Sequence, residues 1–148
     1  MYSTSLDDWF SYSRIVLQLI LTKEQRQILS SEAISKKPNE SCALLFGKKD
    51  NGKIIVSEIY PAENIEKSPI NFTISNEQLI KGYKIAEDKG LEVIGIFHSH
   101  PDSEPYPSET DKKFMKINPV TWVIFSLVTN EFKAYMFESE LITIPIVT

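Results

Sequence analysis

The chain contains 148 residues, of which 42% are hydrophobic and 24% are charged, and its net charge is -4. A chain of this length can bury a core of its own as one globular domain, and its single cysteine, Cys42, excludes an intrachain disulfide framework. Sixteen Lys and Arg residues against twenty Asp and Glu residues argue against a nucleic-acid partner.

The N-terminal region shows neither a membrane span nor a secretion signal. The apolar run at residues 15–21 is far shorter than the roughly 20 residues that cross a bilayer, and Asp7 and Asp8 stand where a secretion signal carries positive charge. We therefore expect a cytoplasmic protein without membrane contact. Residues 1–14 are rich in aromatic side chains and predict an arm that either packs on the domain or stays mobile, whereas residues 15–148 predict the domain itself.

The first strand is predicted at residues 15–21, the same apolar run. Thr22 followed three residues later by Gln25 is a capping-box pattern, which predicts the start of a helix. That helix extends to about Lys36, because Pro38 cannot continue it.

A β-hairpin follows, with strands predicted at residues 40–46 and 54–60 on either side of the turn-like segment 49–52. A capping-box pattern at Ser75 and Gln78 predicts the second helix. We expect Gly90 to end that helix.

The remaining elements surround a polar loop. Residues 91–97 predict a buried strand, a proline-rich loop covers 101–107, and 108–116 predict a short helix. Three further strands are predicted at 121–127, 132–137 and 141–146. This mixture of helices and strands indicates an α/β or α+β domain.

The two histidines of the chain, His98 and His100, close the predicted strand before the loop. Residues i and i+2 of a strand point to the same face, so both imidazoles can approach one metal ion. Ser108 and Asp111 are three residues apart at the start of the next helix and share a face there. The same spacing also fits a helix N-cap with an acid in the first turn, and both interpretations can hold together.

Two histidines and one carboxylate match the three protein ligands of a catalytic zinc site that keeps its fourth position for water. We therefore expect one Zn²⁺ per chain at His98, His100 and Asp111, with other divalent ions as weaker alternatives. A hydrolytic site also needs a base for its water. Glu40, at the start of an apolar strand, is the carboxylate we select, although most Glu residues are ordinary surface charges.

The order of these motifs resembles the JAMM or MPN+ family of zinc metalloproteases. A Glu before an apolar segment (PNESCALLFG, residues 38–47) is followed by His-x-His, seven residues and Ser-x-x-Asp. The resemblance spans residues 15–148 and implies an α/β fold with a mixed, curved β-sheet flanked by helices, similar to that of cytidine deaminases. It also implies that Glu40 is the general base and acid and that Ser108 supports the tetrahedral intermediate.

For function, the resemblance implies a metal-dependent isopeptidase that removes ubiquitin or a ubiquitin-like modifier from conjugates. The modifier tail would lie extended along the connector at residues 63–73. The residues that we expect to contact this tail are Ile70, Asn71, Phe72 and Thr73. The resemblance also implies that the protein acts inside a proteasome-type or other complex, or as a homodimer.

Two alternatives remain open. A hydrolase that processes the C-terminal adduct of a sulfur-carrier protein would use the same metal chemistry, and a metal-free scaffold would keep the fold without it. The intact set of motif residues argues against the scaffold. Two departures from the family pattern are Ala43, where Gly is frequent, and the loop 102–107, which is more acidic and proline-rich than in many relatives and bears on substrate choice.

Overall fold

The computed structural model describes residues 16–148, so the predicted arm at residues 1–14 lies outside the described range. Over that range the helices are α1 (Lys23–Ser35), α2 (Asn76–Asp88) and α3 (Glu109–Ile117). The strands are β1 (Gln18–Ile20), β2 (Cys42–Asp50), β3 (Lys53–Ala62), β4 (Glu92–His100), β5 (Thr121–Ser126), β6 (Glu131–Phe137), β7 (Leu141–Ile144) and β8 (Ile146–Val147). None of the helices in residues 16–148 is long and apolar enough to cross a membrane.

All of these strands belong to one sheet, in the order β7-β6-β5-β4-β2-β3-β1-β8. β1 pairs in parallel with β3 and β8, and β4 pairs in parallel with β5. The other neighbours are antiparallel. The expected mixed sheet with flanking helices is therefore confirmed.

One predicted strand, at residues 141–146, is wrong because Pro145 divides it. β7 pairs with β6 at one edge of the sheet, whereas β8 pairs with β1 at the other edge. Pro145 has no N–H to extend the first ladder. Its carbonyl accepts a hydrogen bond of 2.8 Å from the Leu19 N–H, which already belongs to the second pairing. A single residue thus joins the two edges, and the sheet curves into a near-barrel.

Local sequence signals account for most helix ends. Thr22 and Gln25 form the complete predicted capping box at α1, with bonds of 2.9 and 3.1 Å. At α2, Ser75 caps the Gln78 N–H at 3.2 Å. The reciprocal half of that predicted box is absent, because the Gln78 side chain instead accepts from the Glu63 N–H at 2.9 Å.

Helices cover both faces of the sheet. Leu29 and Ala33 of α1 pack into one buried cluster, and Ala86 of α2 and Met115 of α3 pack into the other. Along β4, Ile96 faces the α2 and α3 side whereas Phe97 faces α1. Strand alternation then places the side chains of the last residues of β4 toward α2 and α3 at every second position.

Candidate metal centre and active site

The end of β4 and the start of α3 bring His98, His100 and Asp111 together. His98 and His100 follow Ile96 at two-residue steps on the same face of β4, and both are buried. Asp111 is the third residue of α3 and forms a capping box with Ser108. The Ser108 N–H donates to Asp111 Oδ2 at 2.9 Å, and the Asp111 N–H donates to Ser108 Oγ at 3.0 Å. The cap therefore fixes the carboxylate that points at the histidines.

Three ligand atoms form a nearly equilateral triangle. His98 Nε2 lies 3.1 Å from His100 Nε2 and 3.1 Å from Asp111 Oδ2, and His100 Nε2 lies 3.2 Å from Asp111 Oδ2. Tetrahedral zinc with N and O ligands at about 2.0–2.1 Å requires ligand separations of about 3.3 Å. These three residues are the described His, Cys, Asp and Glu group able to hold a metal ion.

The surroundings of the two histidines suit a metal ion. His100 Nδ1 lies 2.8 Å from the Glu104 carbonyl oxygen, and in the tautomer that donates this hydrogen bond Nε2 is the nitrogen able to ligate a metal ion. Burial lowers the pKa of His98, which keeps that imidazole neutral. His98 Nδ1 is buried without a hydrogen-bond partner among residues 16–148.

Asp111 supplies the negative charge of the triangle. Burial alone would raise the pKa of its carboxyl group, but the contacts with the His98 and His100 side chains and the hydrogen bond from the Ser108 N–H hold the pKa well below its usual range. The donor set of two imidazole nitrogens and one carboxylate oxygen therefore fits Zn²⁺, or another divalent ion of similar preference.

Glu40 lies at the same cleft. β2 runs antiparallel to β4 with Cys42 opposite His98, which places Glu40, two residues earlier, beside the end of β4. Glu40 is only 3% exposed, and its Oε1 has no hydrogen-bond partner among residues 16–148. Burial, and then the charges of Asp111 and Glu66, raise the pKa of Glu40 to about 9. Glu40, His100 and Ser108 line a cleft of about 450 Å³.

The four residues expected to contact a modifier tail lie in different settings. Ile70 is 70% exposed and lines the cleft. Phe72 is 8% exposed, and its ring stacks on His98 at a centroid distance of 4.6 Å. Asn71 and Thr73 are half-buried, and their backbone groups bond to Asn64. The connector itself contains no strand.

Asn64 is a site residue that sequence reasoning missed. Its Nδ2 donates to the carbonyls of Glu40 (3.1 Å) and Asn71 (3.0 Å). Its Oδ1 accepts from the N–H groups of Glu66 and Thr73, both at 3.1 Å. One buried amide thus fastens the connector to the backbone of Glu40. No sequence signal distinguishes this Asn from the other polar residues of a loop.

Ser99, also missed, fixes the backbone between Glu40 and the start of β2. Its Oγ accepts from the Ser41 N–H at 2.8 Å, and its own N–H donates to the Ser41 carbonyl at 3.0 Å. In the sequence, a serine between two histidines indicates only that its side chain points to the other face of the strand. Nothing in the sequence identifies Ser41 as its hydrogen-bond partner.

Comparisons with known proteins point to one family. A family model described as prokaryotic homologs of the JAB domain matches residues 22–138. The chain is 33% identical to the desampylase of Pyrococcus furiosus over 140 residues, which cover 95% of this chain and 92% of that protein. It is 32% identical to a probable TtuB-protein conjugate cleaving protease from Thermus thermophilus over 106 residues, 71% of this chain and 65% of that protein.

Two further comparisons agree with this family. The chain is 26% identical to the CysO-cysteine peptidase of Mycobacterium tuberculosis over 111 residues, 75% of each chain. A solution structure of a Desulfitobacterium hafniense protein superposes with a TM-score of 0.80 at 28% identity, covering 88% of this chain and 92% of that one. Since the family model spans most of the chain and the fold agrees, the protein belongs to the prokaryotic JAB-domain family.

Proposed function

We propose that the protein is a zinc-dependent isopeptidase that removes ubiquitin or ubiquitin-like modifiers from conjugates. One observation carries the proposal: the buried side chain of Glu40, whose Oε1 has no hydrogen-bond partner among residues 16–148, lines a cleft beside the triangle of His98, His100 and Asp111. The relatives named as a desampylase and as a conjugate cleaving protease support the substrate class.

The positions of the metal ligands, Glu40 and Ser108 suggest a role for each in the proposed hydrolysis. A zinc ion held by the two histidines and Asp111 would supply Lewis acidity that makes water acidic near pH 7. Glu40 accepts a proton from the attacking water when its carboxyl group is ionised, a form that a bound cation beside it would favour, and passes the proton to the leaving amine. Ser108 Oγ accepts the Asp111 N–H, so its own O–H is free to donate to the developing oxyanion.

Elemental mass spectrometry of protein purified without added zinc tests the metal centre. We expect near one zinc per chain, and loss of zinc in His98→Ala and Asp111→Ala. Asp88→Ala, an exposed acid on α2, is the matched control that should retain zinc. A wild-type chain that neither carries zinc nor takes it up would favour a metal-free scaffold.

Cleavage assays test the chemistry separately. Zinc-loaded wild-type protein should release the modifier from a conjugate, and Glu40→Gln should bind zinc normally but lose at least about 10²-fold in rate. Equal rates in the two proteins would contradict the role of Glu40.

A second candidate is the hydrolysis of a C-terminal adduct from a sulfur-carrier protein. The similarity to the CysO-cysteine peptidase over 75% of the chain favours it. Both candidates use the same groups, so parallel assays on an isopeptide conjugate and on an adduct with a free carboxylate decide between them.

A further inference from the structure

Two walls enclose the cleft beside the metal triangle. We call Pro69 and Ile70 the connector wall, because both belong to the segment that Asn64 fastens to Glu40. We call residues 102–106 the loop wall. The connector wall is apolar at the cleft, whereas the loop wall presents two carboxylates, Asp102 and Glu104. The walls therefore differ in the chemistry that they offer a substrate.

The loop wall is held in place by its backbone. Three successive carbonyls accept hydrogen bonds from buried side chains: Ser103 from Ser126 Oγ (2.7 Å), Glu104 from His100 Nδ1 (2.8 Å), and Pro105 from Tyr135 Oη (2.6 Å). Because these bonds tie the loop to β4, β5 and β6, the backbone from which its side chains project is fixed relative to His98, His100 and Asp111.

The charge of the loop wall is uncompensated. Asp102 and Glu104 are exposed, and within residues 16–148 neither lies within ion-pair distance of a Lys, Arg or His side chain. The described residues that line the cleft include no Lys or Arg. Lys112, which lies 5.1 Å from the ring of Tyr106 in the same wall, is already paired with Glu109 at 3.3 Å.

A second feature of the cleft points to a ligand. Glu40 is 97% removed from solvent, lines the same cleft, and has an Oε1 without a hydrogen-bond partner among the described residues. A substrate amide between the walls would place its nitrogen near this carboxyl group. The acidic wall would then face the part of the substrate that follows the scissile bond.

We propose that Asp102 and Glu104 select basic acceptors: the enzyme favours a modifier joined to a lysine side chain among other Lys or Arg residues and disfavours a carboxylate next to the scissile nitrogen. This inference rests on the proposed function. The modifier tail lies along the connector wall, and the acceptor lies along the loop wall. The same charge argument favours isopeptide conjugates over adducts that end in a free amino-acid carboxylate.

Three substrates with the same modifier tail test this selectivity. In the first the tail is joined to a lysine flanked by Lys, in the second to a lysine flanked by Glu, and in the third to a single amino acid with a free carboxylate. At low ionic strength, we expect kcat/KM to be about fivefold to tenfold higher for the first substrate than for the second, with the third also poor. Added salt should shrink the difference, because the wall is exposed.

The charge-neutral double variant Asp102→Asn/Glu104→Gln should lose most of this preference, since the backbone carbonyls that anchor the loop are unchanged. The matched control is Asp50→Asn/Glu92→Gln, which removes the same charge at the opposite ends of β2 and β4 and should keep the preference. Equal rates for the first two substrates in wild-type protein, or a preference that survives in the Asp102/Glu104 variant, would overturn the proposal.

Binding separates this inference from the proposed function. If zinc-loaded protein cleaves none of the three substrates, the proposed function fails. Fluorescence anisotropy of the same conjugates with Glu40→Gln protein then still decides the selectivity. Tighter binding of the basic conjugate that disappears when Asp102→Asn and Glu104→Gln are added supports the acidic wall, whereas equal binding of basic and acidic conjugates overturns it.

Discussion

The carboxyl group of Glu40 is almost completely buried in the folded protein, so its pKa differs between the folded and unfolded states. An unfolded chain releases this proton near pH 4.5, whereas burial and the charges of Asp111 and Glu66 raise the pKa in the folded state to about 9. Between these two values the folded state holds a proton that the unfolded state has lost. The free energy of unfolding of the metal-free protein must therefore fall as the pH rises through this window.

Urea unfolding of chelator-treated protein checks this prediction between about pH 5 and pH 8. The contribution from Glu40 should reduce the free energy of unfolding by at most about 1.4 kcal/mol per pH unit. Glu40→Gln, which cannot ionise, should flatten the slope, whereas the exposed control Glu77→Gln should not. Identical slopes in wild-type and Glu40→Gln protein would show that the buried carboxyl group does not retain its proton.

Asn64 affects the same carboxyl group through the backbone. Asn64→Asp keeps the acceptor for Glu66 and Thr73 but loses both N–H bonds, to the carbonyls of Glu40 and Asn71. We expect a loss of about 1–3 kcal/mol in the free energy of unfolding. The added negative charge should also shift the acidic limb of the kcat/KM profile to higher pH. Asn76→Asp, at the exposed start of α2, should change neither. If Asn64→Asp is destabilised but its pH profile is unshifted, Asn64 has only a structural role and does not influence the protonation of Glu40.

At the scale of the elements, the start of α3 combines a helix cap with a proposed catalytic residue. Ser108 Oγ caps the Asp111 N–H, and the same hydroxyl is proposed to donate to the oxyanion. Ser108→Ala should cost about 1 kcal/mol in the free energy of unfolding and about 10²–10³ in kcat. Ser75→Ala removes the N-cap of α2 at a similar cost in stability but should leave kcat unchanged. Equal effects of the two variants on kcat would contradict a direct role for Ser108.

The sequence predicts local structure well where one or two neighbouring residues determine it. Thr22 and Gln25 cap α1 as expected, and Asn51 and Gly52, with φ of 48° and 82°, form the tight turn between β2 and β3. Gly90, with φ of 71°, follows α2. In each case the signal and its partner lie within a few residues, so tertiary packing is not needed to recognise them.

Features that depend on distant contacts could not be predicted in this way. The hydrophobic pattern of residues 141–146 is that of a continuous strand, and only the curvature of the sheet shows why Pro145 divides it. Asn64 gains its importance from Glu40, 24 residues earlier in the chain. His-x-His and Ser-x-x-Asp were found because their spacing reflects strand and helix geometry, whereas the placement of Glu40 beside them required the family resemblance.

At the scale of the whole molecule, a metal ion would be held by residues of two different elements. His98 and His100 lie on β4 and Asp111 lies on α3, so a ligand that binds only the folded state stabilises their arrangement. At a free zinc concentration about 1,000 times the Kd, the stabilisation is about 4.1 kcal/mol. With about 2–4 °C in Tm for each kcal/mol, chelation should lower the Tm by roughly 10 °C.

Calorimetry with and without chelator measures this shift. His98→Ala should have the lower Tm in both conditions and show little response to zinc. An unchanged Tm in wild-type protein on chelation and zinc addition would mean that no ion of useful affinity binds the folded chain.

The joining of β7 and β8 through Pro145 has a consequence for synthesis. β1 lies near the beginning of the sequence, yet its outer partner is β8, with Leu19 opposite Ile146. While the polypeptide grows on the ribosome, β1 therefore has an open edge until Ile146 and Val147 have left the exit tunnel. Pairings between such distant residues form slowly. We expect the nascent chain to bring its histidines and Asp111 together before β1 pairs with β8.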